Sequence, residues 1–132
     1  FGGEHSAHYY FRDFWRADTG MLAALHVLAA LGEQSRPLSE LTAAYSRYAA
    51  SGEINSTVDD AAARTAAVRA AFENEDGAGL DDLDGLTVHL ADGAWFNLRA
   101  SNTEPLLRLN VEAADERRMT ELRDRVLEMV RA

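Results

Sequence analysis

The segment Arg99-Ala100-Ser101-Asn102-Thr103-Glu104-Pro105-Leu106-Leu107-Arg108 concentrates the residue types that hold an anion. Two guanidiniums flank a short turn rich in hydroxyl and amide groups. A guanidinium presents several donors in a rigid planar fork, which suits a phosphate better than the point charge of a lysine. Ser101, Asn102 and Thr103 add side-chain donors, and a loop at a strand end leaves backbone N–H groups free to face an anion. The preceding run Trp95-Phe96-Asn97-Leu98-Arg99 alternates in polarity. Phe96 and Leu98 should face a core, while Arg99 and Ser101 project together from the other side. Arg99, Ser101, Asn102, Thr103 and Arg108 are therefore the candidate phosphate-binding residues. The competing reading is a strand-end turn whose arginines pair with surface acids such as Glu104 or Glu112.

A second cluster opens the chain at Gly3-Glu4-His5-Ser6-Ala7-His8. Carboxylate, hydroxyl and imidazole alternate at Glu4, Ser6 and His8, which would set them on one side of an extended loop. Such a set suits a polyol: a carboxylate accepts from two neighbouring hydroxyls while Ser and His complete the network. The plainer alternative is a polar loop with local hydrogen bonds. A hydrolase built on Ser6 and His8 is a poorer reading, because alternate residues rarely reach triad geometry and no Gly-x-Ser-x-Gly is present. His5 and His8 lack a third metal ligand at suitable spacing. A polyol reader and a phosphate clip in one chain point to a sugar phosphate.

Composition narrows the field. The chain has 132 residues, 47% of them hydrophobic, enough for one ordinary domain and a piece of a second. Its 22 acidic against 13 basic residues give a net charge of -9, which disfavours nucleic acid and anionic lipid as partners. Arg99 and Arg108 run against that field. Without cysteine there is no disulfide framework and no thiolate chemistry. The nearly uncharged run from Thr19 to Gly32 is too short to span a membrane, and no signal-peptide pattern occurs. A cytoplasmic location is the expectation. The opening Phe1-Gly2-Gly3-Glu4 reads as the middle of a strand-to-loop passage, as in part of a longer protein.

The elements that must position these groups follow from periodicity. Asp18 or Thr19 caps a helix running to about Leu31, apolar nearly all round and expected to be buried between layers. A second helix follows Pro37, with Leu38, Leu41, Tyr45 and Tyr48 on one stripe, and Ser51-Gly52 ends it. The domain boundary is placed there, giving 1–51 and 52–132. Beyond it come a strand over 53–58, a helix from Asp59 or Asp60 to about Glu73, and an exposed acidic loop over 74–85. A strand at 86–90 leads through the Asp92-Gly93 hairpin to the strand at Trp95. A further strand carries Leu107, Leu109 and Val111. The last helix, from Asp115, buries Met119, Leu122, Val126 and Met129 or Val130. The order β-α-β-β-β-α predicts an α+β fold, a small antiparallel sheet covered by helices on one face. His26 reads as a core or interface histidine, and Asp81, Asp82 and Asp84 as a solvated loop rather than a cation site.

Taken together, Gly3-Glu4-x-Ser6-x-His8 ahead of a helix start and Arg99-x-Ser101-Asn102-Thr103-Glu104-Pro105 resemble the α-D-phosphohexomutase family. The first is similar to its sugar-binding loop and the second to the phosphate-binding loop of its last domain. Ser51-Gly52-Glu53-Ile54-Asn55 is similar to the linker between them. Ser101-Asn102-Thr103, where glucosamine-phosphate mutases usually carry Ser-Gly-Thr, favours the mannose and glucose branch of bacterial phosphomannomutase/phosphoglucomutase type. His5 and Ala7 depart from the usual Met and Gly. The resemblance implies that 1–51 ends the sugar-binding α/β domain and that 52–132 is the phosphate-binding domain. It implies reversible phosphate transfer between positions 1 and 6 of a hexose, through a phosphoserine and a bisphosphorylated sugar, with Mg²⁺ in the full-length enzyme. Glu4, Ser6 and His8 would bind sugar hydroxyls, and the 99–108 residues the non-reacting phosphate. The family's phosphoserine and Asp-rich metal loops do not occur in these residues. The expected partners are a hexose phosphate and the missing N-terminal domains. A stand-alone sugar-phosphate-binding module and a plain interaction domain are the alternatives.

Overall fold

The computed structural model describes residues 1–4 and 7–132. They form two compact units, Phe1–Ser46 and Arg47–Ala132. In the first, β1 (Gly2–Gly3) and β2 (Tyr9–Tyr10) pair antiparallel, followed by α1 (Gly20–Gly32) and α2 (Leu38–Ala43). The Thr19 side chain caps α1 by accepting from the Leu22 N–H, the arrangement its residue type favours.

Two expectations fail in this unit. No residue of α1 is buried, and Met21, Leu25, Val27 and Leu28 are exposed. Within the unit, a ribbon of two-residue strands is too small to cover a helix that is apolar on all sides. The second helix stops at Ala43 rather than near Ser51, and Tyr45 and Tyr48 are exposed. Thr42 bonds back through its hydroxyl to the carbonyls of Leu38 and Ser39, an alternative to continued helix.

The second unit contains β3 (Ala49–Ala50), β4 (Ile54–Thr57), α3 (Ala61–Phe72), β5 (Gly79–Asp81), β6 (Leu86–His89), β7 (Trp95–Ala100), β8 (Leu106–Ala113) and α4 (Glu116–Arg131). All pairings are antiparallel, in the order β3-β8-β7-β6-β5, with β4 also beside β8. The acidic segment read as an exposed loop thus contains β5, where Leu80 pairs with Val88 and packs on the core. One apolar residue between glycines and acids was too weak a pattern to reveal a strand.

Alternation decides which face is covered. Phe96, Leu98, Leu107, Leu109 and Val111 point to one side, where Val68 and Phe72 of α3 and Met119, Leu122, Val126 and Val130 of α4 bury them. Asp60 caps α3 and Asp115 caps α4, each accepting a backbone N–H. Phe72 and Phe96 meet edge to face at 4.9 Å, and the Arg125 guanidinium lies 4.2 Å above Phe72. Ser56, the one buried polar side chain of this face among the described residues, accepts from Arg131 Nε at 3.0 Å. The sheet's other face carries no helix of this unit. The α+β fold with one covered face is as the sequence predicts. No helix of the described residues is long and apolar enough to cross a membrane.

Removing a ring from this core should be costly. Phe96→Ala is expected to destabilise the second unit by about 3–5 kcal/mol, as read by urea unfolding. Asp115→Ala, which removes only the α4 cap, should cost about 1 kcal/mol.

Candidate functional site

The uncovered face of the sheet presents three cross-strand rows. They are His89–Trp95–Glu112, Thr87–Asn97–Asn110 and Arg99–Arg108–Asn55. In the last row Arg99 and Arg108 stand directly opposite, at the mouth of the connection between β7 and β8. Like charges in that position repel. Each has an acid at its side: Arg99 Nη1 lies 3.3 Å from Asp84 Oδ2, and Arg108 Nη1 lies 3.9 Å from Glu53 Oε1. These acids are other than Glu104 and Glu112, the examples named in the competing reading of a surface turn. Both contacts are single and long, and the side chains keep 43% and 31% of their surface, so neither guanidinium is closed off. Among the described residues Arg108 Nε is buried without a partner, a donor still to be spent.

The turn beyond Arg99 is built to keep its own amides free. Ser101 N–H donates to the Leu106 carbonyl at 2.9 Å, and Leu106 N–H to the Glu104 carbonyl at 2.8 Å. The Pro105 carbonyl accepts from Val58 N–H, which ties the exit to the end of β4. Ser101 Oγ accepts from Thr103 N–H at 3.4 Å and lies 3.5 Å from Thr103 Oγ1. The N–H groups of Asn102 and Glu104 have no partner among the described residues. Asn102, Thr103, Glu104 and Pro105 are exposed. Two guanidiniums, two hydroxyls and two amides therefore gather on one open bend, a set that can wrap a tetrahedral anion.

Sequence reasoning missed the floor of this site. Asn97 Nδ2 donates to the Asp84 carbonyl and to Thr87 Oγ1, at 2.8 and 3.0 Å. Gly85 has φ +74°, and a Cβ there would fall 2.6 Å from the Leu98 carbonyl oxygen. Only glycine lets the β5–β6 loop lie this close to β7, and that approach sets Asp84 beside Arg99. The three acids of the loop are also engaged rather than merely solvated. Asp82 pairs with Arg69, Asp84 with Arg99, and Asp81 Oδ1 accepts from Leu83 N–H. The Asp84-Gly85 pair was the only available signal, and it reads equally as an ordinary turn.

In the first unit Ser6 lies outside the described residues, as does His5. Glu4 and His8 do not sit along an extended loop. Glu4 N–H donates to the His8 carbonyl and Ala7 N–H to the Glu4 carbonyl, both at 3.0 Å, closing a tight turn. Ala7 there has φ +63°, a left-handed conformation that favours the glycine from which this chain departs. Glu4 Oε1 accepts from Tyr10 Oη at 2.8 Å, and this bond to the carboxylate raises the tyrosine pKa. His8 Nδ1 meets Asp18 Oδ2 at 2.5 Å, and Asp18 Oδ1 accepts from Tyr9 N–H. The hydrogen bond to Asp18 and then its charge raise the His8 pKa, while the bonds from His8 and Tyr9 lower that of Asp18. A carboxylate and a proton-bearing imidazole stand at the neck of one turn. His26, expected in a core or at an interface, is exposed within its unit and stacks on Phe11 at 5.2 Å.

Residues 53–129 match the family model of the phosphoglucomutase/phosphomannomutase C-terminal domain, and residues 1–48 that of alpha/beta/alpha domain III. The chain belongs to the phosphoglucomutase/phosphomannomutase family. It is 42% identical over 121 residues to a phosphomannomutase of Methanocaldococcus jannaschii, covering 92% of this chain and 26% of that protein. A Salmonella typhimurium phosphomannomutase is 46% identical over 129 residues, covering 96% and 28%. A crystal structure of a phosphoglucomutase/phosphomannomutase family protein from Burkholderia thailandensis superposes with a TM-score of 0.73 at 27% identity, over 98% of this chain and 28% of that one. The chain thus spans between a quarter and a third of the length of these relatives.

The His8–Asp18 pair makes a pH prediction for this phosphohexomutase segment. His8 should titrate above its ordinary value of about 6.5, and Asp18→Asn should bring the midpoint back down, as followed by imidazole NMR signals. The folded pKa of His8 is raised, so its stabilising share is full below the ordinary imidazole value and fades as pH rises through the raised one. Asp18 is lowered, so its share fades only as pH falls through that lowered value.

Proposed function

We propose that this chain is the substrate-holding end of a phosphohexomutase acting on mannose and glucose phosphates. Arg99, Ser101, Asn102, Thr103 and Arg108 seat the phosphate that is not being transferred. Glu4, Ser6 and His8 hold hydroxyls of the sugar ring. The observation that carries the reading is the facing pair Arg99 and Arg108 at the mouth of an exposed turn with unpaired amides. Phosphoryl transfer depends heavily on positioning, which is what such residues supply. The reaction moves a phosphate between positions 1 and 6 of the hexose through a phosphoserine and a bisphosphorylated sugar.

The residues that exchange the phosphoryl group belong to other parts of the polypeptide, and this chain by itself turns over no substrate. The ligands of the Mg²⁺ used by the full-length enzyme belong to other parts of the polypeptide. The enzyme acts in the cytoplasm.

Titration with inorganic phosphate, mannose 6-phosphate and glucose 6-phosphate, read from amide signals of residues 99–108, tests the seat. Saturable shifts are expected, abolished by Arg99→Ala. Arg99→Lys should weaken binding several-fold at equal charge, because the planar fork is lost. In the complete enzyme Arg99→Ala should lower kcat/KM by about ten- to a hundredfold, the worth of a charged hydrogen bond. Loop amides unmoved by all three ligands at tens of millimolar would overturn the reading.

A further inference from the structure

We infer that Asp84 and Glu53 are exchangeable counter-ions of the phosphate seat, carboxylates that occupy the edges of Arg99 and Arg108 and must be displaced or outweighed when a phosphate dianion binds. This inference rests on the phosphate-seat reading above and assigns it a regulating element on the same face.

Arg99 and Arg108 face each other across β7 and β8, so without acids at their sides they would repel. Asp84 and Glu53 each supply one oxygen, at 3.3 and 3.9 Å, to the Nη1 of their own arginine. Local charge is then balanced, two cations against two carboxylates. Neither pair is bidentate or enclosed: Asp84 keeps 73% of its side-chain surface and Glu53 34%. Exposed pairs of this kind are held weakly and are easily exchanged. Asp84 is nonetheless not there by chance. Its carbonyl accepts from Asn97, and the next residue, Gly85, presses on the Leu98 carbonyl in a conformation that excludes a Cβ. The backbone is fixed against β7 while the carboxylate stays exposed, with a single contact to Arg99.

The consequence is a seat that is pre-ordered yet does not hold its ligand too tightly. A bound dianion meets two guanidiniums and also the repulsion of two carboxylates a few ångströms away. Such a balance suits a reaction in which a phosphorylated sugar must let go and turn round. Removing the charge of Asp84, while keeping its shape and its carbonyl, should tighten anion binding rather than weaken it.

The test compares inorganic phosphate binding by the whole chain and its Asp84→Asn, Glu53→Gln, Arg99→Ala and Asp76→Asn variants at fixed pH and salt, by amide shifts and calorimetry. Asp76 is exposed and removes the same charge away from the seat. Asp84→Asn is expected to bind about three- to tenfold tighter, with dissociation correspondingly slower. Glu53→Gln should act in the same direction, and Asp76→Asn should bind as the parent does. If Asp84→Asn and Glu53→Gln remain folded by amide dispersion but bind equally or more weakly, while Arg99→Ala still loses binding, the counter-ion role is overturned and the seat stands. If the parent's loop amides ignore phosphate and Arg99→Ala changes nothing, the seat itself fails and this inference with it.

Discussion

The register between β7 and β8 is the constraint on which this molecule's chemistry turns. Because Phe96 pairs with Val111 and Leu98 with Leu109, the apolar residues of both strands share the covered face. The same register necessarily sets Arg99 opposite Arg108 on the open face. A slip of one residue would turn Phe96 and Leu109 into water and the arginines into the core, so burial of the apolar set enforces the pairing of the cations. The repulsion built into the site is thus maintained by hydrophobic energy spent on the other side of the sheet.

This division of labour explains why the helices cover one face only. α3 and α4 complete a core through Phe72, Leu122 and Val126, and neither helix covers the face that carries Asn97, Arg99 and Arg108. The open face is polar row by row, and its donors are partly spent locally, as where Asn97 bonds Thr87 and Asp84. What is left unspent collects toward one end. There the turn 101–105 offers the amides of Asn102 and Glu104, and Arg108 retains its Nε.

Local pattern made much of this legible. The strand through Trp95 alternates strictly, so which side Arg99 takes could be read from five residues. The caps at Thr19, Asp60 and Asp115 likewise declare themselves by residue type. Failures came where an outcome depended on distant chain. A helix as apolar as α1 signals burial, but the sequence cannot supply the partner. β5 carries a single core residue and is a strand only because β6 lies beside it. The acid partners were missed for the same reason: Asp84 is fifteen residues from Arg99 and Glu53 more than fifty from Arg108, and only the sheet brings them together.

The candidate residues of the two units differ in how their charges are held. In the first unit His8 and Asp18 form a short, direct pair that shifts both pKa values in the direction favouring the ion pair. In the second, Arg99 and Arg108 meet their acids only singly and at longer range. The bond to Asp18 orients the imidazole and favours its charged form. Loosely held guanidiniums keep donors in reserve. The contrast follows from geometry. Asp18 is fixed by the Tyr9 amide and by its bridge to Tyr10, whereas Asp84 and Glu53 each meet their arginine through a single oxygen, at 3.3 and 3.9 Å.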